Sequence, residues 1–218
     1  MNNTINQKVT ILDYGMCNLF NVVRAFEYCG ANVTVTESPA DVLNSERLVV
    51  PGVGAFFDSM REIHQRGFGD AIKSFVETGR PMFGICIGMQ ILFDLSDEFG
   101  EHAGLGILPG RVQAIPSVTS HGDKIRVPHI GWNQLIPSNG LNWSNTLLDS
   151  LENKLPAVYF VHSYSATPTR DQDRLADCIY GGHLICAAVQ HENVMATQFH
   201  PERSGPAGLA IIKNFCTL

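Results

Sequence analysis

Three short segments carry side chains that could together cut an amide. The first is Gly84-Ile85-Cys86-Ile87-Gly88, set between an apolar run, Met82–Ile85, and a helix-like stretch, Ile87–Leu95. A nucleophile on a tight strand-to-helix turn is lifted clear of its sheet. Residues two before and two after it must be small, because the strand and helix backbones crowd there. Both are glycine here. The start of a helix would also offer the thiolate free N–H groups and a favourable dipole. A buried structural cysteine in a glycine-rich turn is the alternative reading of this pentapeptide alone.

The second segment is Phe199-His200-Pro201-Glu202. A thiol that attacks an amide needs a group to return a proton to departing ammonia, and imidazole does so near neutral pH. Glu202 can accept a hydrogen bond from the other ring nitrogen and hold the working tautomer. Taken alone, this segment reads as a surface His-Pro turn. The third segment is Pro51-Gly52-Val53-Gly54. Its two glycines, Gly52 and Gly54, allow backbone N–H groups to approach a ligand closely. With the N–H of Ile87, such a turn could form an oxyanion hole. No Gly-Lys-Ser/Thr follows, so this is not a phosphate loop.

These segments need a scaffold that brings them together. Val9–Asp13, Asn32–Thr36, Arg47–Val50 and Met82–Ile85 read as buried strands. Asn18–Tyr28 reads as a helix, with Leu19, Val22, Val23 and Phe26 at helical spacing and Gly30 as its stop. Ile72–Glu77 reads as a further helix ending at Gly79. Strand–helix alternation implies a mostly parallel sheet with helices on both faces. From about Leu105 the pattern becomes strand after strand: Arg111–Ile115, Ile125–Val127, Val158–His162, Leu175–Ile179, Leu184–Val189 and Val194–Phe199. That run predicts an antiparallel extension of the central sheet. Gly208–Phe215 closes the chain as a helix. The fold class is therefore an α/β sandwich, expected as one domain over residues 1–218. In such a sheet the carboxyl ends of the strands share one edge, so Val50, Ile85 and Phe199 should deliver the three segments to one place.

Composition narrows the function classes. A net charge of −6 without a local Lys/Arg cluster argues against nucleic-acid binding. Charged residues make up only 17% of the 218, which leaves room for a partner-facing surface. The start, Met1–Lys8, lacks the apolar stretch of a signal peptide. No run approaches the roughly 20 apolar residues of a membrane span. Six cysteines without a C-x-x-C pair and eight histidines without H-x-x-x-H spacing predict neither a metal site nor a disulfide framework. The expectation is a cytoplasmic protein without a cofactor.

Taken together, Gly84–Gln90 and His200-Pro201-Glu202 resemble the catalytic triad of class I glutamine amidotransferases. Four further segments resemble, more narrowly, the glutaminase subunits of imidazole glycerol phosphate synthases. They are Asp13–Asn18, Pro51–Phe56, Pro128–Asn133 and Phe160–Tyr164. The likeness runs from about Val9 to Phe215 in the family's order.

This resemblance implies a thioester on Cys86, with Gly52, Val53 and Ile87 around the oxyanion. It also implies that Gly54, Gln90, His162, Ser163 and Tyr164 hold glutamine, and that Asn18, Trp132 and Tyr159 lie at or near a docking face. The implied partner is a TIM-barrel cyclase subunit, in a heterodimer that passes ammonia internally. The cyclase would make imidazole glycerol phosphate and an aminoimidazole carboxamide ribonucleotide. Three other readings exist: a paralogue feeding a surface-sugar amidating synthase, a stand-alone cysteine hydrolase, and a non-catalytic module. Cys17 stands where the family usually has glycine, Ile87 where it has leucine and Arg203 where it has lysine. The first of these changes predicts a turn that reaches positive φ less cheaply.

Overall fold

The computed structural model describes residues 7–151 and 156–218; most of the polar stretch Met1–Lys8 lies outside them. The chain runs β1 (Lys8–Leu12), α1 (Leu19–Tyr28), β2 (Asn32–Thr36), α2 (Pro39–Asn44), β3 (Leu48–Gly52), α3 (Phe56–Gln65), α4 (Phe68–Glu77) and β4 (Met82–Cys86). It continues through α5 (Ile87–Gln90), β5 (Phe93–Ser96), β6 (His102–Ala103), β7 (Leu108–Ala114), β8 (His129–Gln134) and β9 (Ile136–Pro137). The last elements are β10 (Ala157–His162), β11 (Tyr164–Pro168), β12 (Arg174–Tyr180), β13 (His183–His191), β14 (Val194–Thr197) and α6 (Gly205–Thr217).

Eight strands form the central sheet in the order β2-β1-β3-β4-β14-β13-β12-β9. The pairings β1–β2, β1–β3, β3–β4 and β4–β14 are parallel. The strands β13, β12 and β9 add on antiparallel. Right-handed crossovers that step left from β1 to β2, and then right from β2 to β3 and β4, place α1 on one face and α2–α4 on the other. On the α1 face, Phe215 of α6 packs against Phe26 and Phe83, with ring centroids 6.1 and 5.3 Å away. The middle strands β3 and β4 are buried along their whole length. Such two-sided burial is why they read as continuous apolar runs without alternation.

The expected antiparallel extension is present, but not every expected strand joins it. Arg111–Ile115 falls largely on β7, within a separate four-stranded sheet ordered β11-β7-β5-β6, and β10 pairs with β8 in a two-stranded ribbon. Ile125–Val127 is not a strand: Lys124 makes an isolated bridge to Val118, and the first strand beyond is β8.

The expected helix Ile87–Leu95 stops at Gln90. The next residues are drawn into the small sheet, where Phe93 pairs with Leu108 and the Leu92 carbonyl accepts from Ile107 and Leu108 at 2.9 Å each. A full helix dipole behind Cys86 is therefore missing. The helix expected at Ile72–Glu77 is the end of α4, preceded by α3 across Gly67 at φ 73°.

Candidate active site

Adjacent parallel strands bring the three segments together. Strands β3, β4 and β14 lie side by side, and their carboxyl ends carry Gly52, Cys86 and, three residues beyond Thr197, His200. Cys86 sits at φ 56°, ψ −112°, a conformation that L residues rarely adopt. Backbone strain of this kind persists only where packing imposes it. The two flanking glycines show that packing. A Cβ at Gly84 would meet the Gly88 carbonyl oxygen at 2.6 Å, and one at Gly88 would collide with the Val50 carbonyl oxygen. Gly52 is equally confined, by the Tyr14 hydroxyl and by Ile87 Cβ at 2.9 Å.

The His200 ring, expected as the proton-transfer group, lies beside the Cys86 thiol. His200 Nδ1 lies 2.8 Å from Glu202 Oε1, with the Glu202 side chain 3% exposed. Burial opposes charging the imidazole, but hydrogen bonds to Cys86 and Glu202 and their negative charge outweigh it and hold His200 up at about 10. The ring therefore keeps its proton at neutral pH. Gln198, fully buried, donates through Nε2 towards Cys86 Sγ at 3.7 Å. Its Oε1 accepts from Gln90 Nε2 at 2.9 Å, and that nitrogen also donates to the Tyr164 carbonyl at 2.9 Å. With both donors of Gln90 used, its buried Oε1 is left as an acceptor without a partner.

A cavity of about 270 Å³ opens over Cys86 and is lined by Val53, Gly54, Ile87, Gln90, Ser163, Tyr164 and His200, among others. Glu98 and His162 line it too. Sequence reasoning missed Glu98, which no motif marks; its Oε2 also accepts the Phe56 N–H at 2.6 Å.

His162 is in the wall, yet both of its ring nitrogens are occupied. Nδ1 donates to the Tyr164 carbonyl at 2.9 Å, so Nε2 must accept from His129 Nδ1 at 3.1 Å. This tautomer follows from the bond network. His129 is itself stacked between Phe160 and Tyr180 at 4.8 and 4.0 Å. Burial, ahead of every other influence, pushes both histidines down to about 4, so the pair is neutral. His162 can therefore contribute its ring face or edge to the pocket but no free hydrogen-bonding nitrogen.

The segment expected to supply the oxyanion hole is differently disposed. The Val53 N–H donates to the Met16 carbonyl at 2.8 Å and so is already committed. Gly54 beside it takes φ 92°. In the Asp13–Asn18 turn, positive φ falls on Gly15, at 85°, and not on Cys17. The thiol in place of the usual glycine is thus accommodated without backbone strain, and its Sγ donates to the Pro51 carbonyl at 3.4 Å.

Of the residues expected at a docking face, Asn18 is exposed, Trp132 is 58% exposed and Tyr159 is half-buried against it, with ring centroids 6.2 Å apart. Trp143, in contrast, is buried. Among the described residues no His/Cys/Asp/Glu cluster is placed to hold a metal ion, and no helix is long and apolar enough to cross a membrane.

The sequence pattern of the family described as "Glutamine amidotransferase class-I" matches residues 10–218. The chain belongs to that family. It is 45% identical over 208 residues to imidazole glycerol phosphate synthase subunit HisH 1 of Legionella pneumophila (strain Lens), an alignment covering 95% of this chain and 97% of the relative. HisH of Syntrophotalea carbinolica is 46% identical, with 95% and 98% covered. Solved structures of similar fold include PurLQS from Thermotoga maritima, with a TM-score of 0.69 at 18% identity over 97% of this chain and 98% of that one. A putative GMP synthase protein from Thermoplasma acidophilum aligns with a TM-score of 0.67 at 17% identity, covering 97% and 93%. These distant structures share this amidotransferase's α/β fold. The HisH relatives are similar over nearly their whole length.

Proposed function

We propose that this amidotransferase is the glutaminase subunit of an imidazole glycerol phosphate synthase. What carries the reading is the meeting of Cys86, His200 and Glu202 at the ends of adjacent parallel strands, in a chain 45% identical over 95% of its length to a HisH subunit. Cys86 Sγ attacks the side-chain carbonyl carbon of glutamine, and the C=O electron pair moves onto oxygen. The N–H groups of Val53 and Ile87 stabilise that oxyanion, with Gly52, where a Cβ would clash with Tyr14 and Ile87, letting the segment's backbone come close. As the intermediate collapses, the C–N bond breaks, and ammonia leaves with a proton from His200. The resulting thioester is cleaved by water, which gives His200 its proton, and glutamate and the thiolate are released.

Gln90 Oε1 and the Glu98 carboxylate are acceptors suited to the α-ammonium of glutamine, and Gly54, His162, Ser163 and Tyr164 shape the remaining wall. The partner is a TIM-barrel cyclase, docked over Asn18, Trp132 and Tyr159 in a heterodimer. It receives ammonia inside the complex, where the molecule stays unprotonated, and uses it to make imidazole glycerol phosphate and the aminoimidazole carboxamide ribonucleotide. The chain works as one domain in the cytoplasm, on a small-molecule substrate, without nucleic acid or membrane. The test is co-purification with the organism's cyclase and a synthase assay of wild type against Cys86→Ala. Glutamine-dependent synthesis should vanish in the variant while ammonia-dependent synthesis persists. Equal loss of both, or loss of neither, would sink the reading.

A further inference from the structure

The turn that carries the base lies beyond the end of its strand. Strand β14 stops at Thr197, so His200 and Glu202 have no ladder partner in the central sheet. Something else must set the backbone of His200. Ser204 lies two residues past Glu202 and is 1% exposed, and a hydroxyl buried to that degree is normally hydrogen-bonded. Here it closes a circuit. Ser204 Oγ accepts the Tyr159 N–H at 2.9 Å and donates to the His200 carbonyl at 2.6 Å. The His200 N–H donates in turn to the Tyr159 carbonyl at 3.0 Å. Both backbone groups of His200 are thereby tied to one residue of β10, and one side chain makes the closure.

Only a group that donates and accepts at once can fill this place. Space also limits the choice. A Cβ at Gly208 would collide with the Pro201 carbonyl oxygen and lie 2.8 Å from Ser204 Cβ, so α6 presses directly on the turn. Tyr159 belongs to the ribbon strand β10, not to β14, so the circuit fastens the base to a second sheet.

We propose that Ser204 is a positioning residue for the glutaminase reaction, its hydroxyl holding the His200 backbone where the ring meets both Cys86 and Glu202. This rests on the glutaminase reading above. Ser204 is not among the residues that line the pocket, and its hydroxyl bonds the backbones of Tyr159 and His200, so it acts on the reaction through the placement of His200. Loss of the hydroxyl would leave the His200 carbonyl with the Arg203 N–H at 3.1 Å alone and the Tyr159 N–H without its acceptor, loosening the turn, and displacements of about 1 Å in a catalytic group cost on the order of 100-fold in rate.

The experiment uses the complex with the cyclase and compares wild type, Ser204→Ala and Ser204→Thr. It measures kcat and KM for glutamine, the ammonia-dependent rate and thermal melting. Ser204→Ala is expected to lower kcat for glutamine roughly 10- to 100-fold, to leave KM within about threefold and to spare the ammonia-dependent rate. Ser204→Thr, which keeps the hydroxyl, should recover most of the lost kcat. A Ser204→Ala complex with wild-type kcat overturns the proposal. So does a threonine variant that folds and is as slow as the alanine one. Should the alanine variant not fold, the threonine variant decides: near-wild-type kcat upholds the positioning role, and a kcat lowered roughly 10- to 100-fold overturns it. A wild-type complex inactive with glutamine but active with ammonia would refute the glutaminase reading, and the proposal with it.

Discussion

The two halves of the proposed reaction centre stand in different states. On the nucleophile side the parts are assembled: Cys86 is held at its strained φ by the Gly84 and Gly88 contacts, and His200 is bonded to Glu202 at 2.8 Å. On the oxyanion side, the Val53 N–H is spent on the Met16 carbonyl at 2.8 Å. In the proposed mechanism one half needs no rearrangement, and the other must break a hydrogen bond before it can stabilise negative charge. The lesson is where control of turnover resides. An enzyme whose ammonia must reach a partner gains by keeping the nucleophile ready and withholding the oxyanion donor until that partner is docked.

The largest expected effect strikes the assembled half. Glu202→Gln keeps the shape but loses the charge that orients His200 and favours its protonated form, and kcat for glutamine in the complex should fall about 10³- to 10⁴-fold. Because Glu202 helps hold His200 up at about 10, the alkaline limb of the pH–kcat/KM profile should also move to lower pH. An unchanged profile would mean that the pair does not function as drawn. Next, Val53→Pro deletes the peptide hydrogen of the other half. The partner-stimulated rate should drop on the order of 10²- to 10³-fold towards the rate of the isolated chain, whereas full stimulation in that variant would assign the donor elsewhere.

Smaller effects test the pocket that serves both halves. Glu98→Gln should raise KM for glutamine roughly 10-fold with kcat little changed, as expected when uniform substrate binding is lost; a kcat effect alone would contradict an ammonium-binding role. The smallest concerns the neutral histidine pair. His129→Phe can keep the stacking but orphans His162 Nε2, which should cost about 1–3 kcal/mol of stability at pH 7. His129 and His162 both have folded values lowered from 6.5 to about 4. Their neutral-state contribution is therefore fully present above about 6.5 and lost as pH falls through about 4. The melting gap between wild type and variant should accordingly narrow on acidification, and a gap that widens would exclude the assigned tautomers.

The same division marks what could be read from the chain. The assembled half was legible because its constraints are local. Gly84 and Gly88 flank Cys86 at fixed spacing, His200 and Glu202 are two apart, and β3, β4 and β14 announce themselves as apolar runs. The mostly parallel sheet follows from that alternation. The apolar stretch Ile87–Leu95 misled because periodicity cannot distinguish a buried helix from a turn entering a second sheet; only pairing of Phe93 with Leu108 decides it. Glu98, Gln198, His129 and Ser204 went unread for another reason. Each acts through partners far along the chain, such as Tyr159 for Ser204 and Cys86 for Gln198, and nothing in their immediate neighbours records those contacts. The committed state of Val53 is likewise a tertiary fact, since Met16 lies in another segment altogether.

The most direct test compares two reactions of Cys86, with and without the cyclase. Alkylation by iodoacetamide needs a reactive thiol but no oxyanion donor, whereas glutamine hydrolysis needs both. With the nucleophile half assembled and the oxyanion half withheld, docking should change the alkylation rate at Cys86 by no more than about threefold. It should raise glutamine turnover on the order of 100-fold or more. Parallel increases in both rates, or a free chain that hydrolyses glutamine as fast as the complex, would contradict the division between the halves.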